Sequence, residues 1–234
     1  MVHIKKLKII MISIILAVIA LIPNNVLADG PSYDITNYDM DAYIQEDGTI
    51  HIDESITYYF SSSANGLTRD LRYFYKTNKD LMEPNSARYQ ATGIENITVA
   101  VTNPANITTN FTKASNAEKG DNGVYTVDAV NADRTDGYDI MVYSPISSNN
   151  FQTVHYSYDI TDAVVQYNDM SEIYYNFIGN GIETDVDEFN LDIYLPKSIN
   201  MDDVKYYPHT YATKLEDIQV MLDSAANCIS VNIR

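Results

Sequence analysis

The hydrophobic and polar positions of this chain alternate with a period of two far more often than with the period of a helix. Met40, Ala42 and Ile44 alternate with Asp39, Asp41 and Tyr43, and Asp47-Gly48 follows, a pair that tolerates the positive φ of a hairpin turn. The return segment sets Ile50, Ile52, Ile56, Tyr58 and Phe60 on one face and Thr49, His51, Asp53, Ser55, Thr57 and Tyr59 on the other. Further strands are expected over roughly 94–102, 107–113, 123–130, 138–143, 151–160, 187–195, 217–222 and 228–233. Asn103-Pro104, Asp121-Asn122-Gly123 and Asp136-Gly137 supply turns between them. Many short strands with polar turns predict an all-β chain, an antiparallel β-sandwich of immunoglobulin-like character. The cysteine pair and tryptophan pin of antibody domains are missing. A weak boundary falls at SPISSNN, 144–150, but the following half is too poor in strands to stand alone, so one continuous unit is expected.

One later stretch breaks the alternation. Ile173, Tyr174, Tyr175, Phe177 and Ile178 are too continuously apolar for an exposed loop and predict a buried strand or short turn under the sheet. Gly179-Asn180-Gly181 lets the chain reverse. Phe189, Leu191, Ile193 and Leu195 then alternate with Asn190, Asp192 and Tyr194 in a half-buried strand that Pro196 stops.

The N-terminus belongs to export rather than to the fold. Lys5, Lys6 and Lys8 precede an apolar run over 9–22, and Val26-Leu27-Ala28 offers small residues for cleavage. The run is shorter than the roughly 20 apolar residues that span a bilayer. A signal helix over 1–28 and an exported β domain over 29–234 are therefore expected. Without the three signal lysines, 12 basic residues face 32 acidic ones, a net charge of −20. That sign repels phosphate backbones, so nucleic acid is excluded as a partner class. Cys228 is the single cysteine, which rules out an internal disulfide and thiolate metal clusters.

Three segments occur in a familiar order: EDGTIHIDESITYYF at 46–60, NGLTRDL at 65–71, and YSYDITDAVVQYNDMSEIYYNFIGNGIETDVDEFNLDIYLP at 156–196. Together they resemble the N-terminal extracytoplasmic domain of predicted bacterial membrane proteins grouped as domain of unknown function 2207. The resemblance implies a signal peptide, this β domain, and then transmembrane helices; the family has no established activity. Tyr175 stands where members often carry tryptophan. The chain stops at Arg234 inside an apparent strand, so the expectation is a fragment, with missing strand partners and a membrane anchor beyond it.

Candidate chemistry is sparse. Glu54 sits in phase with the buried face of its strand, where a lone carboxylate must be paired. Arg69 and Arg72 are the nearest candidate cations, and a Glu54–Arg69 pair pinning the loop after the hairpin onto the sheet is the expectation. Asp185, Asp187 and Glu188 form an acidic cluster that weakly suggests calcium, while the calcium-like run from Asn131 to Gly137 reads as a turn. Tyr206, Tyr207 and Tyr211 around His209 suggest an aromatic binding surface. His51 and His155 read as solvated surface histidines. No HExxH, GxSxG or phosphate-binding glycine loop occurs, and no cofactor is expected. The leading expectation is a non-catalytic interaction or sensing module for an unknown protein or cell-surface ligand. A cell-surface polysaccharide hydrolase and a calcium-stabilised adhesion domain remain as alternatives.

Overall fold

The computed structural model describes residues 32–75, 91–132, 135–179, 182, 184–207 and 218–233. The signal segment, His209 and Tyr211 lie outside them. Two sheets supply the core. The large sheet runs in the order β13 (Ile218–Asp223), β14 (Cys228–Ile233), β12 (Phe189–Tyr194), β1 (Tyr33–Ile44), β2 (Ile50–Phe60), β9 (Asn150–Thr161), β4 (Gly93–Thr102) and β5 (Thr108–Asn110). The small sheet runs β3 (Ala64–Tyr75), β8 (Thr135–Ile146), β7 (Val124–Ala132) and β6 (Thr112–Lys113). A separate ribbon pairs β10 (Val164–Gln166) with β11 (Ser171–Ile173).

Alternation is the cause of this arrangement. Ile50, Ile52, Ile56 and Phe60 of β2 are fully buried, while His51, Ser55 and Thr57 stay half-exposed. The hairpin from β1 turns on Gly48, at φ 87°, with the Thr49 amide donating to Asp47 Oδ1 at 3.0 Å. Inward residues of both sheets, among them Ile52, Tyr156 and Ile160 from one and Leu67, Leu71, Ile140 and Val142 from the other, share one buried cluster. This is the sandwich arrangement that the pattern predicts.

Two features depart from the sequence reading. The segment after the hairpin is not a loop: it forms β3, a strand of the second sheet paired with β8. Its inward residues are Leu67, Arg69 and Leu71, and the arginine in the middle hides the apolar period. The sheets are also mixed rather than wholly antiparallel, since β1 pairs β12 in parallel and β6 pairs β7 in parallel. Between β8 and β9 the chain changes sheets through a short link at 147–149, with Asn149 at φ 58°.

Candidate functional site

The most constrained chemistry lies between the sheets. The central strands β1 and β2 place Tyr38 and Glu54 inward, and β3 brings Arg69 down onto them, all three at most 3 % exposed. Arg69 Nε donates to Glu54 Oε1 at 2.9 Å, and Nη2 donates to Oε2 at 3.0 Å. Nη2 also donates to the Tyr38 hydroxyl at 2.7 Å, which in turn donates to Glu54 Oε2 at 2.6 Å. The remaining nitrogen, Nη1, donates to the carbonyls of Ile178 and Asp70 at 3.1 and 3.2 Å. A guanidinium has five N–H donors, and these bonds engage all of them. Burial pulls the Arg69 pKa down, but the Glu54 carboxylate outweighs it and leaves Arg69 more firmly protonated than usual. Burial drives the phenols of Tyr38, Tyr156 and Tyr158 well above their ordinary range. The guanidinium is near the Tyr158 hydroxyl but out of hydrogen-bonding geometry.

The apolar run before the glycines closes over this cluster. Residues 174–179 are irregular and half-buried, with Tyr175, Phe177 and Ile178 packed against the core. Gly179 sits at φ 84°, its amide donating to Asn176 Oδ1 at 3.2 Å. A Cβ built there would meet Arg69 Nη1 at 2.7 Å. This segment meets β3, which among the described residues is an edge strand of the small sheet, through the Ile178 carbonyl that accepts from Arg69 and the close approach of Gly179 to the same guanidinium. The notch left between them, lined by Arg69, Arg72, Tyr175 and Gly179, has room for about one water. Arg72 does not join Glu54. Its Nη2 reaches Asp139 at 2.6 Å and its Nη1 donates to the Tyr138 carbonyl at 2.8 Å, tying β3 to β8.

The second set of polar residues lies on the outer face of the large sheet, in rows running across the strands. His155 accepts or donates between Ser55 Oγ at 2.7 Å and Thr102 Oγ1 at 2.8 Å, and burial lowers its pKa. His51 Nδ1 stands 2.6 Å from Asp159 Oδ1, and Asn96 donates to the other oxygen at 2.6 Å. Asn96 reaches that oxygen because a bulge in β4 sets it at φ 55°. Ser157 Oγ lies 3.5 Å from His51 Nε2, giving the carboxylate–imidazole–hydroxyl order of a hydrolase on a flat strand face. Burial alone would raise the Asp159 pKa, but the Asn96 and His51 hydrogen bonds prevail and lower it. Its stabilising effect is therefore present above the unfolded value of about 3.9 and is lost as pH falls through the lower folded value. Urea midpoints measured from about pH 6 down to about pH 2 are expected to fall less steeply in Asp159→Asn than in the parent.

The other sequence candidates do not converge. Asp185 and Asp187 are exposed and Glu188 half-exposed, on the segment that leads into β12; the Asp187 amide donates to the Ile35 carbonyl at 3.0 Å. Among the described residues no three His, Cys, Asp or Glu side chains group as metal ligands. Of the run from Asn131 to Gly137, Asn131 and Ala132 end β7 and residues 135–137 begin β8, with Asn131 opposite Asp136, while Asp133 and Arg134 lie outside the described residues. Tyr206 and Tyr207 are 44 % and 76 % exposed, while their expected companion Tyr211 lies outside the described residues. Cys228 is buried, and burial raises its thiol pKa. Among the described residues no helix is long and apolar enough to cross a membrane.

What fold and site define is an all-β domain of two facing sheets joined by a buried, fully engaged ion pair. The chain belongs to the DUF2207 family, whose model, described as a predicted membrane protein N-terminal domain, matches residues 34–225. No curated protein matches. Among solved structures, an M1 zinc metallopeptidase from Deinococcus radiodurans is 8 % identical with a TM-score of 0.36, over 86 % of this chain and 38 % of its own. A candidate nutrient-binding protein from Legionella pneumophila is 9 % identical with a TM-score of 0.43, over 87 % of this chain and 63 % of its own. This chain thus spans less than two thirds of either structure. Likeness at this level assigns neither fold nor activity.

Proposed function

We propose that this domain is a non-catalytic binding module, displayed on the extracytoplasmic side of a membrane protein. The observation that carries it is the engagement of the buried cluster: every Arg69 donor is taken by the protein itself, and the notch beside it admits about one water. Ligand-binding clefts run to about 300–1,000 Å³, so ligand contact falls to the surface. The export pattern at 1–28 and the family description support the location.

A full-length gene product carrying a reporter that matures only after export tests this. The reporter is expected to be active, and protease added to intact cells is expected to remove the domain. A silent reporter with the domain protected inside the cell overturns the location. Turnover of a cell-surface polysaccharide by the purified domain, abolished by Ser157→Ala or His51→Ala, overturns the non-catalytic reading.

A further inference from the structure

We infer that the outer face of the large sheet docks a basic helical segment of a partner protein, lying across β12, β1 and β2 with its cations over Asp192, Asp41 and Asp53. This rests on the binding-module reading and names its surface and its partner's chemistry.

The first ground is charge. None of the eight strands of the large sheet carries a lysine or an arginine. Strand edges ordinarily use lysine against unwanted pairing, so the fixed charges on the strands of this sheet are all carboxylates.

The second ground is register. Asp41 of β1 stands directly opposite Asp192 on one neighbouring strand and Asp53 on the other. Like charges abreast on adjacent strands are destabilising. The flanking rows of the same face are satisfied internally. Asn232 donates to Asn190 at 2.7 Å and Asn190 to Asp39 at 2.9 Å on one side, while Asn96 and His51 hold Asp159 on the other. Among the described residues no lysine or arginine pairs with the aspartate row; His51 Nε2 is 3.5 Å from Asp53. Burial first, then Asp192 and Asp53, raise the Asp41 pKa.

The third ground is the aromatic pair in the next row. Tyr43 and Tyr194 stack at 4.8 Å with 9° between their planes. A guanidinium held by the carboxylates lies within reach of such rings, which attract cations through their faces.

Spacing selects the helix. Neighbouring strands lie about 4.7–4.9 Å apart, so the three carboxylates form a row with nearly that repeat. Residues i and i+4 of a helix are about 5–6 Å apart, whereas same-face residues of an extended strand are about 6.6–6.8 Å apart. Over the row's two intervals, about 9.4–9.8 Å, a helix with cations at i, i+4 and i+8 advances about 12 Å and an extended segment about 13.2–13.6 Å, so the helix follows the row more closely.

Fluorescence anisotropy with a labelled alanine-rich peptide carrying arginine at i, i+4 and i+8 tests the inference. The Asp41→Asn/Asp192→Asn double variant is expected to bind it about tenfold more weakly. Asp202→Asn/Asp203→Asn removes the same charge from the exposed turn after Pro196 and is expected to change binding by less than about twofold. The peptide with a central proline is expected to bind about fivefold more weakly than the helical one. The Asn variants relieve repulsion, so their thermal midpoints are expected to match or exceed the parent's. Equal losses in both double variants, or undiminished binding of the proline peptide, overturn the inference. So does displacement of the peptide by millimolar calcium with a rise in thermal midpoint, which assigns the row to a metal ion. Any of these results beside an exported, protease-accessible domain leaves the binding-module reading standing and moves the search to another face.

Discussion

Replacing Glu54 with alanine is expected to destabilise the domain by about 3–5 kcal/mol. The reason is what remains rather than what is lost. Arg69 is 3 % exposed and stays charged at any pH where the protein is handled. Without Glu54, two of its nitrogens face Tyr38 and apolar side chains, and an uncompensated buried cation results. Domains of this size are stable by about 5–15 kcal/mol, so the variant sits near its folding threshold at room temperature. Urea denaturation followed by tyrosine fluorescence reads the loss, since the buried phenols report on the sheet contact. Arg69→Ala is expected to lose a similar amount, because it strands the Glu54 carboxylate.

The informative companion is the double variant Glu54→Leu/Arg69→Met. Buried ion pairs replaced by apolar residues of similar volume are often neutral or stabilising by about 1–4 kcal/mol. Recovery to near the parent value separates two roles. It shows that the pair specifies how β3 meets β1 and β2 without supplying net stability. A single-variant loss below about 1 kcal/mol contradicts both, because it means that water reaches the guanidinium.

The same residues show how far sequence carries. The β1–β2 hairpin was legible because Met40–Ile44 and most of Ile50–Phe60 alternate around Asp47-Gly48, which fixes the turn. Glu54 was legible as the one carboxylate of its strand in phase with the buried face, and Arg69 as a nearby cation. The strand that delivers Arg69 was not: with arginine inward between Leu67 and Leu71, the apolar period that marks a strand is broken at its centre. Arg72 reads as an equal partner in sequence, yet it is three residues on and so faces the other side of β3, toward Asp139. Tyr38 could not be singled out, since its hydroxyl matters only once Glu54 is opposite Met40, two residues along.

The outer acidic row was hidden for a different reason. Asp41 and Asp53 belong to one hairpin, and their opposition follows from the turn. Asp192 comes from β12, whose parallel pairing with β1 depends on a crossover of most of the chain. Alternation places Asp192 on a face but not beside a particular neighbour. Long-range register was therefore the missing information.

Gly179→Ala is expected to lose about 2–4 kcal/mol, the second largest effect. Two terms contribute. The left-handed conformation at φ 84° disfavours any residue with a Cβ, by about 1–2 kcal/mol. The new methyl would also stand 2.7 Å from Arg69 Nη1, so the guanidinium must move and weaken its bond to the Ile178 carbonyl. A hydrogen bond to a charged group contributes about 1.5–3 kcal/mol. The two terms separate in a cycle with Arg69→Met. In that background the clash has no charged target, and Gly179→Ala is expected to lose only the conformational part, about 1–2 kcal/mol. A coupling of about 1 kcal/mol or more between the two sites makes the glycine a keeper of the buried arginine. Additive losses reduce it to a turn residue, and the segment over 174–179 would then meet β3 without holding Arg69 in place.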